Sequence, residues 1–504
     1  MPKNRELNRL KAAASFCGDA PINQGIHILL KRIVLACAGF GMVMLFIQQF
    51  GGAGSAERAE PGGFYPAPEQ ESASIVLVRD RENRLHMAHT GYDGKTKDFI
   101  YYGVCDAADC GTAKDNWKIA KIPFAGANKT QLAVTAEGKP RIYVIAYAAP
   151  NQTNYNRSYF YGQCDDDCTD ARSWKFTEIA NSGDNLISEV LNMRVPDRTF
   201  VLDAKGRPRF IYTDANYFIE PDHYGAFVMS CDADCLDKAN WTETDLALHI
   251  NAAYRNEQFT KPVLAVAENG AMGVLANVYA FDKDGGEMKS GLYYYGCSED
   301  CTDRTSWKRA FVNDMGGGSY PNPTWDLAMT KDGQPRIAQF AGDGMTQKDL
   351  DHQLIYLWCN SDCDQDKSWN GSTVGPGKGI GEAADLLLDA QDRPRIAMLT
   401  SDGQIAFSVC NEDCETTKPA WKSDLVEAMS VPEKERPQAM PFHCDGEVWN
   451  GAMPSLALGE TSATIGYDIV VNARCLYKDY QDPVPSYTFH ELFHGTRIAN
   501  FPLG

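Results

Sequence analysis

Residues 132–174 read LAVTAEGKPRIYVIAYAAPNQTNYNRSYFYGQCDDDCTDARSW and contain one complete copy of a repeat. The copy starts with a short apolar run, passes a polar turn that ends in Pro140-Arg141, and continues through an aromatic run to Cys164 and Cys168. Trp174 follows six residues after the second cysteine. Short apolar runs bounded by Gly, Pro and Asp turns are typical of β-strands and hairpins. The copy is therefore predicted to form four short antiparallel strands.

The same layout returns at intervals of about 51 to 70 residues, so the chain contains an internal repeat. In six copies an aspartate stands directly before the second cysteine, and a tryptophan follows that cysteine after six or seven residues. The six cysteine pairs are Cys105/Cys110, Cys164/Cys168, Cys231/Cys235, Cys297/Cys301, Cys359/Cys363 and Cys410/Cys414. A seventh copy lacks such a pair but keeps four predicted strands, at residues 455–458, 464–469, 473–477 and 487–493.

Seven four-stranded units without helical periodicity between them predict an all-β fold, a seven-bladed β-propeller of four-stranded antiparallel blades. A β-solenoid has far shorter units, and a string of small disulfide domains would need linkers that residues 72–504 do not contain. Because the arginine of each Pro-Arg turn recurs in register with its hairpin, we expect ion pairs between blades rather than a catalytic role. These arginines are Arg141, Arg209, Arg336 and Arg395.

The sequence pattern of the Pro-Arg turn is most complete at residues 203–210, which read DAKGRPRF. On this pattern the chain resembles secreted β-propellers built from Asp-x-x-Gly-x-Pro-Arg-Ile strands, over about residues 72–504. The repeat pattern lacks the Gly-His and Trp-Asp marks of WD40 repeats, and it also lacks a convincing Asp box of the sialidase type. The resemblance implies a fold, and propellers include lectins, adhesins, lyases, hydrolases and scaffolds.

The amino-terminal segment has the composition of a targeting sequence. Residues 3–32 carry six basic and two acidic side chains, and the fifteen uncharged residues 33–47 follow. The short apolar run suits a signal peptide, whereas the long basic leader suits a signal anchor. Both interpretations place the remainder outside the cytoplasm. The predicted organisation is a basic cytoplasmic leader at 1–32, a signal peptide or signal anchor at 33–56, a linker at 57–71 and the propeller at 72–504.

Cysteine usage indicates the same compartment. Each close pair supplies only two thiolates, and no His-x3-5-His partner accompanies it, so we predict local disulfides, with zinc binding and redox chemistry as alternatives. Disulfides persist in oxidising compartments. A further candidate disulfide joins Cys444 to Cys475. The expected location is therefore extracytoplasmic, whether secreted, periplasmic or at the cell surface, with membrane attachment if the amino-terminal segment is not cleaved.

The charge balance excludes one class of partner. The chain has 48 basic and 67 acidic side chains and a formal charge of −19, with no Lys/Arg cluster after residue 32. Proteins that bind nucleic acid gain most of their affinity from such clusters, so we predict no nucleic-acid partner. No cofactor is required by the sequence, and calcium is the candidate ion.

The predicted topology separates regular turns from irregular loops. In an up-and-down blade with strands a to d, the a–b and c–d turns emerge at one face, and the b–c and d–a loops at the other. The Pro-Arg turns and the cysteine turns share the first face, so sequence variation concentrates at the second, where a rigid scaffold commonly carries binding residues. We predict a sugar or peptide site there, near the central channel. The candidate ligand-binding residues are Tyr155, Tyr217, His223, Tyr254, Arg255, Asn313, Trp325 and Trp449.

Residues 490–494 read HELFH and match the His-Glu-x-x-His pattern, in which one helix face presents two zinc-binding imidazoles. Two prolines precede this segment and Gly495 follows it at once, which opposes a helix. The alternation of aromatic and polar residues from Tyr487 to Phe493 instead predicts the last strand of the seventh blade. Zinc bound by His490 and His494 stays as an alternative.

A weaker metal motif lies at residues 282–287, where Asp282 and Asp284 belong to a fragment of a calcium-loop pattern. Its later ligands are missing, so a solvated acidic turn is the simpler interpretation. The ring of acidic cysteine turns is a second place where calcium or a basic partner would be attracted.

The sequence favours an extracytoplasmic binding module that recognises a glycan or protein ligand through the variable-loop face. One alternative is a glycan-active hydrolase or lyase on the propeller channel, and a less favoured one is a zinc hydrolase that uses His490 and His494. Another alternative is a structural subunit of a cell-surface assembly. No nucleophile, base and orienting group can be assembled from the sequence, so no catalytic residue is assigned.

Overall fold

A computed structural model describes most of the repeat region. The described residues are 73–91, 99–106, 110, 116–147, 157–182, 198–214, 225–246, 250–251, 254–255, 257–280, 291–314, 324–340, 353–374, 384–400, 404–416, 418–427, 443–476 and 487–503. They all belong to the second of two units into which the chain divides, Met1–Arg58 and Ala59–Gly504. The predicted leader, signal segment and linker lie outside them. Within these residues, no helix has the length and apolarity needed to span a membrane.

The described strands form seven sheets of three or four strands, numbered here as blades 1 to 7 in chain order. Blade 1 contains β1 (Ala73–Arg79), β2 (Leu85–Gly91), β3 (Phe99–Cys105) and β4 (Trp117–Pro123). Blade 2 contains β5 (Ala127–Val134), β6 (Pro140–Tyr147), β7 (Arg157–Gln163) and β8 (Lys175–Ser182). Blade 3 contains β9 (Phe200–Leu202), β10 (Pro208–Asp214), β11 (Gly225–Cys231) and β12 (Trp241–Asp245). A two-stranded ribbon of β13 (Ile250–Asn251) and β14 (Tyr254–Arg255) follows.

Blade 4 contains β15 (Glu257–Val266), β16 (Met272–Ala280), β17 (Gly291–Cys297) and β18 (Lys308–Asn313). Blade 5 contains β19 (Trp325–Met329), β20 (Pro335–Phe340), β21 (Leu354–Trp358) and β22 (Asn370–Thr373). Blade 6 contains β23 (Ala384–Leu388), β24 (Pro394–Leu399), β25 (Ile405–Cys410) and β26 (Trp421–Glu427). Blade 7 contains β27 (His443–Leu458), β28 (Ser462–Leu476) and β29 (Tyr487–Pro502). Short 3-10 helices lie at Ala171–Ser173, Lys238–Asn240, Arg304–Ser306 and Asp366–Ser368.

The blades close into a ring. Every sheet is antiparallel with neighbouring strands in chain order, and the first strands of successive blades pack together, including β1 against β27 of the last blade. One buried apolar cluster lies at each of the seven interfaces between neighbouring blades. The cluster between blades 7 and 1 contains Leu77, Trp117, Ala457 and Ile498. The seven-bladed propeller is therefore confirmed, and an open rod or a string of separate domains is excluded.

Blade 7 differs in detail from the prediction. The two predicted inner strands at 464–469 and 473–477 form a single strand, β28, that pairs with both β27 and β29. The sheet therefore has three long described strands where four short ones were expected. Residues 467–476 contain no glycine, no proline and no close cysteine pair of the kind that forms a turn in the other blades. Nothing therefore ends the strand between the two predicted segments.

Two positions of the repeat are explained by backbone conformation. The aspartate before the second cysteine has a positive φ, between 48° and 53°, in the five cysteine turns where this residue is described. Aspartate tolerates this left-handed conformation better than most residues, because its side chain bonds the nearby backbone. The glycine of the Pro-Arg turn also has a positive φ, for example 77° at Gly138 and 85° at Gly333. Both positions thus favour residues that tolerate a left-handed backbone, and Asn83 and Asp392 take the place of the glycine in blades 1 and 6.

The Pro-Arg arginines hold the cysteine turns, mostly within one blade. Arg395 donates to the carbonyl oxygen of Cys410 at 2.7 Å and contacts the Asp389 carboxylate at 2.7 Å, and all three belong to blade 6. Arg141 and Arg209 likewise reach the first cysteine and an aspartate of their own blades. Only Arg336 among the four reaches the next blade, through Glu415 at 2.6 Å. The expected ion pairs between blades are therefore wrong for three of the four arginines, because the cysteine turn of the same hairpin pair lies nearer.

Tyrosine and tryptophan rings of the repeat join neighbouring blades instead. Trp174 of blade 2 packs edge-on against Tyr102 of blade 1, with ring centroids 5.1 Å apart. The same contact recurs between Tyr161 and Trp241 at 5.5 Å and in later pairs. The Trp174 indole N–H donates to the carbonyl oxygen of Cys168 at 2.9 Å, so the cysteine turn positions the ring.

All six predicted close pairs are disulfide-bonded, with Cα–Cα distances of 5.6–5.8 Å. The bonds are Cys105–Cys110, Cys164–Cys168, Cys231–Cys235, Cys297–Cys301, Cys359–Cys363 and Cys410–Cys414. Local disulfides are therefore confirmed, and the alternative of zinc held by these thiolates is wrong, because each sulfur is bonded to its neighbour in the same turn. Multiple disulfides indicate an extracytoplasmic protein.

The seventh predicted disulfide lies in blade 7. The strand register places Cys444 directly opposite Cys475. Both side chains are outside the described set, so the bond between them stays a prediction.

Candidate functional site

The ring has two unlike faces. Because consecutive strands are antiparallel, the Pro-Arg turns and the cysteine turns share one face, here called the stapled face. The connections between second and third strands, and between successive blades, share the opposite face, here called the variable-loop face. The first strand of each blade therefore starts at the variable-loop face and runs toward the stapled face. Most of the variable connections lie outside the described residues, but the strand ends that border them are described.

Three charged side chains meet at the axis of the ring. Arg198 lies two residues before β9, while Asp326 and Asp385 are the second residues of β19 and β23. The Arg198 guanidinium bonds the Asp385 carboxylate directly and lies 3.3 Å from Asp326 Oδ2. Arg198 belongs to blade 3 and its partners to blades 5 and 6, so its side chain reaches across the channel. We call these three residues the axial cluster.

The axial cluster also satisfies backbone groups at the inner edges of the sheets. Asp326 accepts from the N–H groups of Leu327 at 2.8 Å and Leu386 at 2.7 Å. Asp385 accepts from the Leu456 N–H at 2.7 Å. The first strand of each blade is an edge strand, and a buried edge with unpaired N–H groups is costly. The two carboxylates therefore join blade 5 to blade 6 and blade 6 to blade 7.

Arg198 bonds the backbone carbonyl oxygens of the first strands whose N–H groups are bonded by the Asp326 carboxylate. Its Nη1 donates to the carbonyl oxygen of Leu386 at 2.9 Å and lies 3.4 Å from that of Leu327. Its own carbonyl oxygen accepts from the Leu264 N–H of blade 4 at 2.7 Å. One residue thus contacts blades 4, 5 and 6 from blade 3. A role in holding the ring together follows from these bonds.

Burial shifts the ionisation of the cluster. Burial raises the pKa of Asp326 to about 7, against the lowering effect of Arg198 and with a smaller raising effect of Asp385. Burial tends to lower the pKa of Arg198, but its two carboxylate partners outweigh burial, and the net shift is upward. The cluster therefore carries no net charge when Asp326 is protonated and one negative charge when it is ionised.

A cavity of about 340 Å³ opens beside the cluster. Its walls come from the first strands of blades 1, 2, 3, 6 and 7, and Arg198 and Asp385 both line it. Gln131 and Ser455 add polar groups, and the aliphatic wall includes Val78, Ala133, Val201 and Leu387. Arg198 keeps 21% of its side-chain area exposed and Asp385 keeps 8%, so both retain some accessible surface. A partly apolar cavity with a few polar groups is the usual form of a small-molecule site.

Two of the predicted ligand-binding residues have described side chains, and both pack between blades 4 and 5. Trp325 is 3% exposed, and its indole N–H donates to the carbonyl oxygen of Lys261 at 3.0 Å. Asn313 accepts from Gln339 Nε2 at 3.1 Å. Neither residue lines the axial cavity, so these contacts give both a structural role. Their part in ligand binding stays a prediction.

The other predicted binding residues lie outside the described set in whole or in part. Tyr155, Tyr217 and His223 are outside it entirely. Tyr254 and Arg255 form β14, and Trp449 lies in β27, but only their backbones are described. The structure therefore places the strands that carry three of these residues and leaves the ligand-binding prediction untested.

The structure describes the backbone of one predicted metal motif, residues 490–494, and not the other, residues 282–287. His490 and His494 lie in β29, where His490 pairs with Ala473 and the register shifts next to His494. The backbone is therefore a strand, as the alternation predicted, and not the helix that the zinc-protease pattern uses. Asp282 and Asp284 lie outside the described residues. Among the side chains that are described, no group of three or more His, Cys, Asp or Glu is arranged to hold a metal ion.

Sequence reasoning missed the axial cluster, although a signal was present. Asp326 and Asp385 each interrupt an otherwise apolar first strand, in the segments WDLAM and ADLLL. The equivalent position is Val76 in blade 1 and Val263 in blade 4. A charged residue at a buried strand position is uncommon and marks a special environment. Arg198 gave no comparable signal, because it stands in an irregular segment before its strand.

Comparison with known proteins supplies no family. No protein-family model matches the chain, and no curated protein matches it. Among solved structures, the chain is similar to the GH93 α-L-arabinofuranosidase of Fusarium graminearum in complex with arabinobiose, with a TM-score of 0.41 and 14% identity over 68% of this chain and 92% of that one.

Two further solved structures differ in their activities. The polysaccharide lyase Uly1 has a TM-score of 0.46 and 10% identity over 90% of this chain and 94% of that one. The BP39L lectin from Burkholderia pseudomallei has a TM-score of 0.45 and 10% identity over 82% of this chain and 99% of that one. At these values the similarities carry no argument about what this chain binds or does.

Proposed function

We propose that the protein is an extracytoplasmic binding module that recognises a glycan or protein ligand at the variable-loop face. The observation that carries this proposal is the axial cavity, which Arg198 and Asp385 line at one end and which runs along the first strands to their last residues, such as Arg79 and Val134. On the stapled face, each of the four Pro-Arg arginines donates to the carbonyl oxygen of the first cysteine of its own blade. Ligand contact at the variable-loop face is therefore proposed from the sequence variation of its connections.

An enzyme is the second candidate, because a carboxyl group with a pKa near neutral is suited to general acid catalysis. Asp326 has such a pKa, about 7. Its side chain is only 1% exposed, however, and both of its oxygens accept backbone N–H groups. A glycosidic oxygen would need one of these oxygens within hydrogen-bond reach. The geometry therefore supports binding better than turnover.

The proposal is tested by screening the purified protein against a glycan array and a display library of secreted proteins. The Tyr217→Ala variant tests the variable-loop face, and Arg172→Ala, at a 90% exposed side chain of the stapled face, is the matched control. We expect binding that is weakened about tenfold or more by Tyr217→Ala and is unchanged by Arg172→Ala. Loss of binding in the Arg172 variant alone, or no ligand in either screen, contradicts the proposal.

A reducing-end assay on any glycan that binds separates the two candidates. We expect binding without release of new reducing ends. Turnover that Asp385→Asn abolishes would replace the binding module with a glycan-active enzyme.

A further inference from the structure

We propose that the axial cavity is the subsite for a neutral, hydroxyl-rich end group, a single sugar unit at the end of a glycan, held by Asp385 and Arg198. This inference rests on the proposed binding function and narrows its ligand to a glycan. It follows from the charge, the remaining hydrogen-bonding capacity, the walls and the size of the cavity.

Charge disfavours an ionic ligand. The Arg198 guanidinium is already paired with Asp385 and lies 3.3 Å from Asp326. A carboxylate or sulfate on the ligand would approach Asp385, and an ammonium would approach Arg198, so each would meet a like charge together with its partner. A neutral polar group avoids both repulsions.

The axial cluster keeps hydrogen-bonding capacity for hydroxyl groups. An ionised carboxylate has about four acceptor positions, and Asp385 uses one oxygen for Arg198 and the other for the Leu456 N–H. Further acceptor positions therefore remain on both oxygens. Vicinal hydroxyls, which both donate and accept, match a carboxylate beside a guanidinium.

The walls and the volume fit one small group. The aliphatic side chains of Val78, Val201 and Leu387 would contact the C–H faces of a sugar ring. The volume of about 340 Å³ is near the lower end of the range for small-molecule pockets, about 300–1,000 Å³. A folded protein surface cannot enter such a space, whereas a terminal sugar can.

The test uses the full chain and a matched panel of methyl glycosides: neutral hexosides and pentosides, the corresponding uronosides and the corresponding amino sugars. Binding is measured by titration calorimetry and by saturation-transfer NMR. We expect at least one neutral glycoside to bind, and its uronoside and amino counterparts to bind about tenfold more weakly or not at all. Preferential binding of the uronoside or of the amino sugar overturns the inference.

Two variants locate the binding. Ala133→Leu adds bulk to the cavity wall and leaves the charges unchanged, whereas Asp385→Asn removes a charge and preserves the shape. We expect each to weaken glycoside binding about tenfold, while Arg172→Ala has no effect. Thermal melting identifies a variant that does not fold, and the other variant then decides the result. Wild-type affinity in a folded variant of either kind overturns the inference.

The outcomes also separate this inference from the proposed function. A glycan or protein ligand that is lost in Tyr217→Ala but is indifferent to both cavity variants leaves the binding module intact and removes the axial sugar subsite. The absence of any ligand in the glycan and protein screens removes the proposed function itself.

Discussion

The stapled face and the axial cluster use the same chemistry, an arginine between acceptors, over very different distances along the chain. On the stapled face Arg395 contacts Asp389 and Cys410, which are 6 and 15 residues away. At the axis Arg198 contacts Asp385, which is 187 residues away. The first arrangement forms within one hairpin pair and can be repeated from blade to blade. The second exists only after the ring has closed.

The largest loss of stability is expected when a buried arginine of the stapled face is removed. Arg395 has a fully buried side chain, so Arg395→Ala leaves Asp389 and the Cys410 carbonyl oxygen without their buried partner. We expect a loss of about 3–5 kcal/mol in the free energy of unfolding, measured by chemical denaturation. Arg172→Ala is the control, because its ion pair with Asp170 is exposed, and it should leave the unfolding midpoint unchanged. A small loss in the Arg395 variant would show that the local network is dispensable.

The two histidines of β2 test the comparison through the pH dependence of stability. His89 is 2% exposed, and burial lowers its pKa to about 4 from an ordinary value of 6.5. Between these values the unfolded chain binds a proton that the folded chain does not, so the contribution of His89 to stability falls as the pH falls below 6.5, and that loss is complete near pH 4. The expected loss is about 3 kcal/mol. Denaturation of wild type and His89→Gln at pH 7 and pH 4.5 measures it.

His86 is the matched control for that experiment. It lies nearer the stapled face, where its Nε2 is 2.9 Å from an Asp80 carboxylate oxygen and its Nδ1 is 2.7 Å from the Tyr102 hydroxyl. Burial lowers the pKa of His86, but the Asp80 carboxylate opposes that effect. His86→Gln should therefore remove less of the acid sensitivity than His89→Gln does. Equal effects would show that the local partners do not protect His86.

At the axis the pH dependence has the opposite sign. Burial raises the pKa of Asp326 to about 7 from an ordinary value of 3.8, so between these values the folded chain holds a proton that the unfolded chain has released. The contribution of Asp326 to stability therefore falls as the pH rises, and this fall ends near pH 7. Between pH 5 and pH 8 the free energy of unfolding of Asp326→Asn should rise by about 2–3 kcal/mol relative to wild type. Parallel pH curves for the two proteins would contradict the assigned burial effect.

The smallest expected effect concerns ring closure. Ser455 of blade 7 accepts from the Leu77 N–H of blade 1 at 3.0 Å. Ser455→Ala leaves that buried N–H without its acceptor and should cost about 1–2 kcal/mol in the free energy of unfolding. Ser423→Ala, in the outer strand of blade 6, removes a hydroxyl from a contact within one sheet at 2.7 Å and serves as the comparison. A larger loss in the Ser423 variant would contradict the importance of the inner edge.

The fold was predictable from the sequence because each blade repeats its own local requirements. Asp167 and Gly138 have positive φ values that few other residues tolerate, so their recurrence reveals the turns. The six cysteine pairs were predictable for the same reason, since both partners belong to one turn. The merged strand β28 was not predicted, although residues 467–476 contain no glycine or proline that would end a strand.

The sequence by itself determined the repeat, the turn chemistry, the disulfide pairing within each turn and the number of blades, since all of these depend on residues close together in the chain. Only the tertiary structure decided that Arg198 meets Asp326 and Asp385 at the axis. It also decided that Trp325 packs between blades. The physical reason is that these contacts join residues from different blades, and ring closure brings them together without leaving a periodic mark in the sequence.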